Sequence, residues 1–423
     1  MSPRMKTTRR DWLKLTGSAA LAASLPRLLS AAHVDEPRFL RDYEQPLFDL
    51  PGQVKEPVKI ASIELLKRGS TYFVRTRSTS GATGLVMTKQ VADFLPIFQN
   101  LVAPHFIGKD ARDLESLVDS VYRANYKLAG LALWCPVAYC EQSAFDLLGR
   151  VARKPGGALL GGVIKSEIPV YLSGSARELS AEDEVALYVR GLAATKARAV
   201  KFKIGGRMSQ NLDAYPGRTD KLVRLAREQL GAQTILFADA NGSYNAKKGI
   251  EVGRLLESLD FKFFEEPCPF EELEETRQVA AALNIPIAGG EQDGSLPRFQ
   301  SMLQQRVVAI VQPDLNYNGG LIRAKRVARL AEKLGRTIVP HNTQTGAASV
   351  NILQFASSTR NTGPFMEYPW RAPQQPVSWF TPNFTIVNGA LRVPEGPGMG
   401  IEIDPDYIKG ATIIATIDKP ARG

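Results

Sequence analysis

Between residues 168 and 367 the chain repeats one pattern eight times: a short apolar run that closes on a polar or charged residue, then a stretch with helical spacing. The runs are 169–173, 199–204, 234–239, 261–265, 285–291, 307–314, 337–341 and 365–367. A strand buried on both faces reads as a continuous apolar run, and strands that alternate with helices form a parallel sheet. The economical closed form of such a sheet is a barrel of the TIM type. An open doubly wound sheet is the rival. It is disfavoured because no G-x-G-x-x-G follows the first strand and because polar ends occur on nearly every strand instead of at one crevice.

The flanks have a different texture. Residues 60–88 alternate β-rich runs with turn residues at 67–70 and 80–81, as an antiparallel meander does. Helical pattern follows to about residue 149, and Leu114, Leu117, Val118 and Val121 form one apolar stripe at i, i+3, i+4, i+7. Residues 58–165 therefore read as an α+β unit and 166–373 as the barrel. Residues 33–57, with Pro37, Pro46, Pro51 and Pro57, read as a connecting arm. Residues 374–423 are loop-rich and are expected to pack back on the first unit.

The formal net charge of +10 raises nucleic acid as a partner, but residues 1–32 hold Arg4, Lys6, Arg9, Arg10, Lys14 and Arg27 against Asp11 alone. Half of the excess thus sits in one short segment, the rest of the chain carries no aromatic-basic stripe, and no nucleic-acid partner is expected. Thr8-Arg9-Arg10-Asp11-Trp12-Leu13-Lys14, followed by an apolar stretch too short to span a bilayer and by Ser30-Ala31-Ala32, resembles a twin-arginine export signal. That resemblance implies a removable segment at 1–32, the twin-arginine translocation machinery as a partner, a periplasmic or otherwise exported protein, and no permanent membrane anchor. Cys135, Cys140 and Cys268 are too few for a disulfide framework and read as packed thiols, with a Cys135–Cys140 bridge left open.

The strand ends carry the chemistry. In Ala199-Val200-Lys201-Phe202-Lys203, the period of two sends both lysines to one face, where each ammonium opposes protonation of the other and desolvation adds to the effect. One of them is expected to shed its proton near neutral pH and act as a base. Asp239, Glu265 and Glu291 end three consecutive strands, each 26 residues from the next. Three carboxylates converging at one mouth would repel unless a cation held them, and oxygen-only donors suit Mg2+ better than zinc. Asp314 and His341 end neighbouring strands, close enough for the carboxylate to fix the imidazole tautomer while the other ring nitrogen moves a proton.

Lys201-x-Lys203, the three carboxylates and the Asp314/His341 pair, in that order, resemble the mandelate racemase subgroup of the enolase superfamily. The resemblance implies an α/β fold, a modified TIM barrel (β/α)7β with an α+β capping domain built from the N-terminal unit and the C-terminal tail. It implies Lys203 as base, Lys201 beside it, Asp239, Glu265 and Glu291 as Mg2+ ligands, and Asp314 with His341 as a dyad. Glu265 is preferred to Glu266 because the family's ligand stands two before a proline, here Pro267. Glu367 matches a residue that meets the substrate, and Asn241 one that supports the site. The implied reaction removes the proton α to a carboxylate of a small-molecule substrate through an enediolate. Dehydration of a sugar acid to a 2-keto-3-deoxy acid is favoured, racemisation or epimerisation of a 2-hydroxy acid is the alternative, and a metal-retaining, non-catalytic sugar-acid binding protein is the remaining one. Specificity is expected in loops 66–73 and 80–89, and the assembly is expected to be a homo-oligomer.

Overall fold

The computed structural model describes residues 45–421 apart from Gln90, Ser175, Ala176 and Gln374. The segment that resembles an export signal lies outside the described residues, as does the start of the arm. No described helix is long and apolar enough to cross a membrane.

Eight parallel strands lie in chain order around one sheet: β4 (Glu167–Ser173), β5 (Ala199–Lys203), β6 (Ile235–Asp239), β7 (Phe261–Glu265), β8 (Ile287–Gly289), β9 (Ile310–Val311), β10 (Thr337–Ile338) and β11 (Met366–Pro369). β11 pairs back onto β4, and Ile338 bridges Thr362 just ahead of β11, which closes the ring. A helix follows each of the first seven strands, so the barrel is (β/α)7β, as expected. Strand periodicity divides its residues cleanly. Outward-facing Phe202 meets Tyr188 of the helix Ala181–Thr195, with ring centroids 5.0 Å apart. Inward, Phe237 and Phe263 stack at 4.0 Å with Tyr171 edge-on to Phe237 at 5.2 Å. Each phenylalanine sits two residues before a carboxylate, so an aromatic layer underlies the polar layer and keeps water from it.

The strands on the far side of the ring are shorter than their apolar runs. β9 and β10 have two residues each because Pro313 and Pro340, which lack an N–H, end the ladder. β8 stops at Gly289, and Gly290 turns the chain at φ 111°, where an added Cβ would meet the Phe299 ring at 2.8 Å. Glu291, Asp314 and His341 consequently lie in loops beyond the strand ends rather than on strands.

The cap is an antiparallel sheet in the order β15-β1-β2-β3, from β1 (Ile60–Arg68), β2 (Thr71–Ser78), β3 (Thr83–Thr88) and β15 (Thr412–Ile417). Two helices complete it, α1 (Leu114–Asn125), whose predicted stripe is buried, and α2 (Leu131–Ala152). At Gly84 a Cβ would lie 2.1 Å from the Ser143 carbonyl, so the glycine lets β3 approach α2 closely. Leu85 N–H and Met399 N–H both donate to the buried Asp146 carboxylate, at 2.8 and 2.7 Å, which ties sheet, helix and tail together. Besides supplying β15, the tail pairs β13 (Ala390–Arg392) antiparallel to the start of β4 and so reaches the barrel as well as the cap. The described end of the arm is docked rather than free: Leu47 and Phe48 N–H groups donate to Glu115 of α1, and a helical turn at Leu50–Gln53 buries Leu50.

Candidate active site at the barrel mouth

The polar layer begins with β5 to β7, which run in register: Lys203 opposite Asp239, and Asp239 opposite Glu265. Glu291 joins them from the loop after β8, and the three residues offer carboxylate oxygens that lie within 4.8 Å of one another. All three are buried. One cation with bonds of about 2.1 Å could draw that set together, the donors are all hard oxygens, and Glu291 Oε2 makes no hydrogen bond of good geometry, its one near neighbour being the His341 ring at 3.3 Å. These residues fit a Mg2+-type ion.

The lysines are placed as the period of two requires, but their surroundings overturn the expected electrostatics. Lys201 Nζ is fully buried, 2.8 Å from Glu265 Oε2, 2.8 Å from Glu367 Oε1 and 3.7 Å from Asp239 Oδ2. Lys203 Nζ contacts Asp239 Oδ2. Burial works against both ammonium groups, yet Glu265 and Glu367 around Lys201, and Asp239 beside Lys203, outweigh it and raise both pKa values. Mutual repulsion between the lysines is the smaller effect, so the expectation of a lysine neutral near pH 7 does not hold for the chain without a bound cation. Lys201, expected in a catalytic role, bridges Glu265 and Glu367 and does not line the cavity. For Asp239 burial works upward, but Lys203 and then Lys201 bring its pKa down overall.

On the other side, His341 Nδ1 is 2.8 Å from Asp314 Oδ2, and His341 Nε2 is 3.3 Å from Glu291 Oε2. The Asp314/His341 pair is thus formed as the sequence predicts. Against the cost of burial, Glu291 and Asp314 lift the imidazole pKa to about 9. Glu367 Oε2 accepts the Asn342 N–H at 3.0 Å, which orients its other oxygen to Lys201. Asn241, in the left-handed region at φ 42°, donates its N–H to Asp239 Oδ1 at 2.8 Å and its side-chain amide to Asp239 Oδ2 at 3.3 Å.

These groups ring a cavity of about 1100 Å3, with Lys203, Glu291, His341, Asn241 and Glu367 in its wall. Phe94, Leu131, Cys135 and Tyr139 roof it from the cap, and Lys89 carries the 80–89 loop to it. The 66–73 turn does not line it. Phe73 is instead held against Trp379 and Tyr407 at the tail, because that end of the hairpin pairs with β15. The three cysteines are buried free thiols, so the Cys135–Cys140 bridge is absent.

Three contributors escaped the sequence reading, and a fourth, Glu266, is set aside there in favour of Glu265. Arg177, from the loop after β4, donates to the Asn241 side-chain oxygen at 3.0 Å and so aims the amide nitrogen at Asp239. Gln312 donates to Glu265 Oε2 at 2.8 Å. Glu266, left-handed at φ 42°, turns its buried carboxylate to the cavity wall, and Tyr317 stands beside His341 with ring centroids 6.1 Å apart. Glu266 was the one with a visible signal, the doubled glutamate before Pro267.

A family model described as enolase C-terminal domain-like matches residues 184–407. Among curated proteins, the arabinonate dehydratase of Saccharolobus solfataricus is 28% identical over 313 residues, covering 72% of this chain and 80% of that protein. The D-galactarolactone cycloisomerase of Agrobacterium fabrum is 29% identical over 321 residues, covering 71% and 80%. Among solved structures, a Roseobacter denitrificans protein described as a candidate racemase superposes with a TM-score of 0.80 at 32% identity, over 85% of this chain and all of that one. A mandelate racemase/muconate lactonizing protein from Paracoccus denitrificans, complexed with magnesium, gives 0.77 at 29% over 85% and 99%. Because that family model spans more than half of the chain, this protein belongs to the enolase superfamily through its enolase C-terminal domain-like barrel.

Proposed function

We propose that this protein is a Mg2+-dependent lyase that dehydrates a sugar acid to a 2-keto-3-deoxy acid, by removing the proton α to the carboxylate through an enediolate. One observation carries the reading: Lys203 and His341 flank the carboxylate cluster from opposite sides, Lys203 against Asp239 and His341 against Glu291. An elimination needs two proton-moving groups, one to take the proton from the α-carbon and one to protonate the hydroxyl that departs from the neighbouring β-carbon. Relatives that are named arabinonate and D-galactonate dehydratases support the choice of substrate class.

Asp239, Glu265 and Glu291 would hold the ion. Bound there, Mg2+ supplies Lewis-acid stabilisation of the charge that develops on the substrate carboxylate. With those three carboxylates engaged by a cation, Lys203 would lose the Asp239 charge that favours its protonated form and would be the group placed to accept the α-proton. His341, steadied by Asp314 at Nδ1, gives its Nε2 proton to the leaving hydroxyl. Lys201 keeps Glu265 and Glu367 apart, and Glu367 holds the substrate at the eighth strand. If His341 instead returns a proton to the α-carbon, the product is the epimer. That second reading is favoured by the racemase description of the Roseobacter structure.

Incubating the purified protein with Mg2+ and a panel of sugar acids and 2-hydroxy acids in D2O, followed by NMR, separates these outcomes. A 2-keto-3-deoxy product supports dehydration, α-deuterium with inverted configuration and no water loss supports epimerisation, and saturable binding without either supports the binding-protein reading. We also propose export by the twin-arginine route, on the strength of the Thr8–Lys14 motif. Fusing residues 1–32 to a reporter tests it: transport that stops when Arg9 and Arg10 become lysines is the expected result, and unaffected transport overturns it.

A further inference from the structure

We propose that Lys89, a residue of the cap, is a positioning residue for the His341 side of the site: it fixes Asp314 and Tyr317 together, so that His341 is correctly held only when the cap is seated. The proposal rests on the reading that His341 moves a proton. Lys89 follows the last residue of β3, and its Nζ lies 3.2 Å from Asp314 Oδ2 and 3.0 Å from the Tyr317 hydroxyl, 4.1 Å from the centre of the Tyr317 ring. Its side chain is only 20% exposed, and both Lys89 and Tyr317 line the cavity.

Asp314 needs such a clamp. Its Oδ1 accepts the N–H groups of Asn316 and Tyr317, at 2.7 and 3.1 Å, so one oxygen is held by its own loop. The other, Oδ2, receives His341 Nδ1 at 2.8 Å and Lys89 Nζ from across the domain boundary. With Lys89 removed, the oxygen that aims the imidazole keeps one partner, which is itself the group to be aimed. The Tyr317 hydroxyl loses its donor at the same time, and its ring, beside His341, loses the cation on its face. A buried hydrogen-bond network depends on every member being satisfied, and Lys89 brings the cap directly onto Asp314 and Tyr317.

The test uses the full chain, with Lys89→Met to remove the ammonium, Lys89→Arg to restore a cation, and thermal unfolding to monitor the fold. The chain has three histidines, so the Nδ1–H resonance of His341 is assignable by its loss in His341→Asn. In the wild type a downfield, slowly exchanging Nδ1–H is expected, broadened or lost in Lys89→Met and recovered in Lys89→Arg. With an acid that the wild type turns over, Lys89→Met should lower kcat by roughly 10–100-fold, as loss of an outer-shell partner does, with KM little changed and Lys89→Arg recovering part of the rate. The proposal is overturned if the wild type shows no such resonance, if Lys89→Met keeps both resonance and rate, or if its rate falls only in proportion to unfolded protein. A wild type that turns over no acid counts against the proposed reaction, while the resonance still decides the role of Lys89.

Discussion

The two sides of the mouth are built by different means. On the Lys203 side, β5 to β7 deliver Lys203, Asp239 and Glu265 directly from strand ends in register, over a stacked aromatic layer. On the His341 side the strands stop early and the functional groups stand on loops, which the cap must hold: Lys89 on Asp314, and Gln142 of α2 on the Leu315 carbonyl at 3.4 Å. Glu141, next to it on α2, accepts the N–H groups of Leu321 and Ile322 at 2.9 and 2.6 Å, capping the helix Leu321–Lys333 that follows Asp314. A strand end is a rigid mount whose position periodicity dictates. A loop end needs buttresses from elsewhere in the chain, and here those buttresses come from the same domain that roofs the substrate cavity.

The sharpest way to break this contrast is at Lys201, whose ammonium is enclosed by carboxylates. Lys201→Met leaves Glu265 and Glu367 buried without their partner, and the expected cost is about 3–5 kcal/mol in chemical denaturation measured without divalent cations. A loss below about 1 kcal/mol would show that the strand-side charges are not mutually dependent. A smaller effect is expected at Asn241. Asn241→Gly keeps the left-handed backbone and the N–H to Asp239 but removes the side-chain amide, so Mg2+ affinity by calorimetry should weaken about 10–100-fold with the fold intact. Unchanged affinity would remove Asn241 from the support of Asp239.

The cap side is tested most gently through pH. Burial pushes the Glu141 carboxyl up to about 8, against the downward pull of the two helix N–H groups. A carboxyl raised on folding contributes stability that is complete below its unfolded pKa and is lost as pH climbs through the folded value. The melting temperature should therefore decline between about pH 5 and pH 8 more steeply in the wild type than in Glu141→Gln. Parallel curves for the two proteins would refute that contribution.

The same contrast decides what could be read in advance. The apolar runs and their polar ends were legible because a strand buried on both faces leaves a continuous signal, and Asp239, Glu265 and Lys203 inherit their placement from it. Asp314 and His341 were legible as neighbours, although the prolines ahead of them shorten the strands that were expected to carry them. Tyr317 and Arg177 were not, and of Lys89 only its place in the 80–89 loop was, because a single side chain in a loop carries no period and only the folded path sets its partners. The charge state of the lysines in the chain without a bound cation is not legible for a related reason: the sequence displays their spacing to each other, while the carboxylates that raise their pKa values arrive from other strands.

The central claim is that proton transfer is divided between Lys203 and His341 across the carboxylate cluster. The most direct test is exchange of the substrate α-proton into D2O, followed together with keto-acid formation, with Mg2+ present, in the wild type, Lys203→Ala and His341→Asn, alongside calorimetry for the metal. The account predicts that both variants bind Mg2+ and remain folded, that exchange falls by at least about 100-fold in Lys203→Ala, and that His341→Asn loses keto-acid formation by a similar factor while Lys203 still exchanges the α-proton. Exchange at the wild-type rate in Lys203→Ala, or keto-acid formation at the wild-type rate in His341→Asn, would contradict the role given to that residue and, with it, the two-sided mechanism.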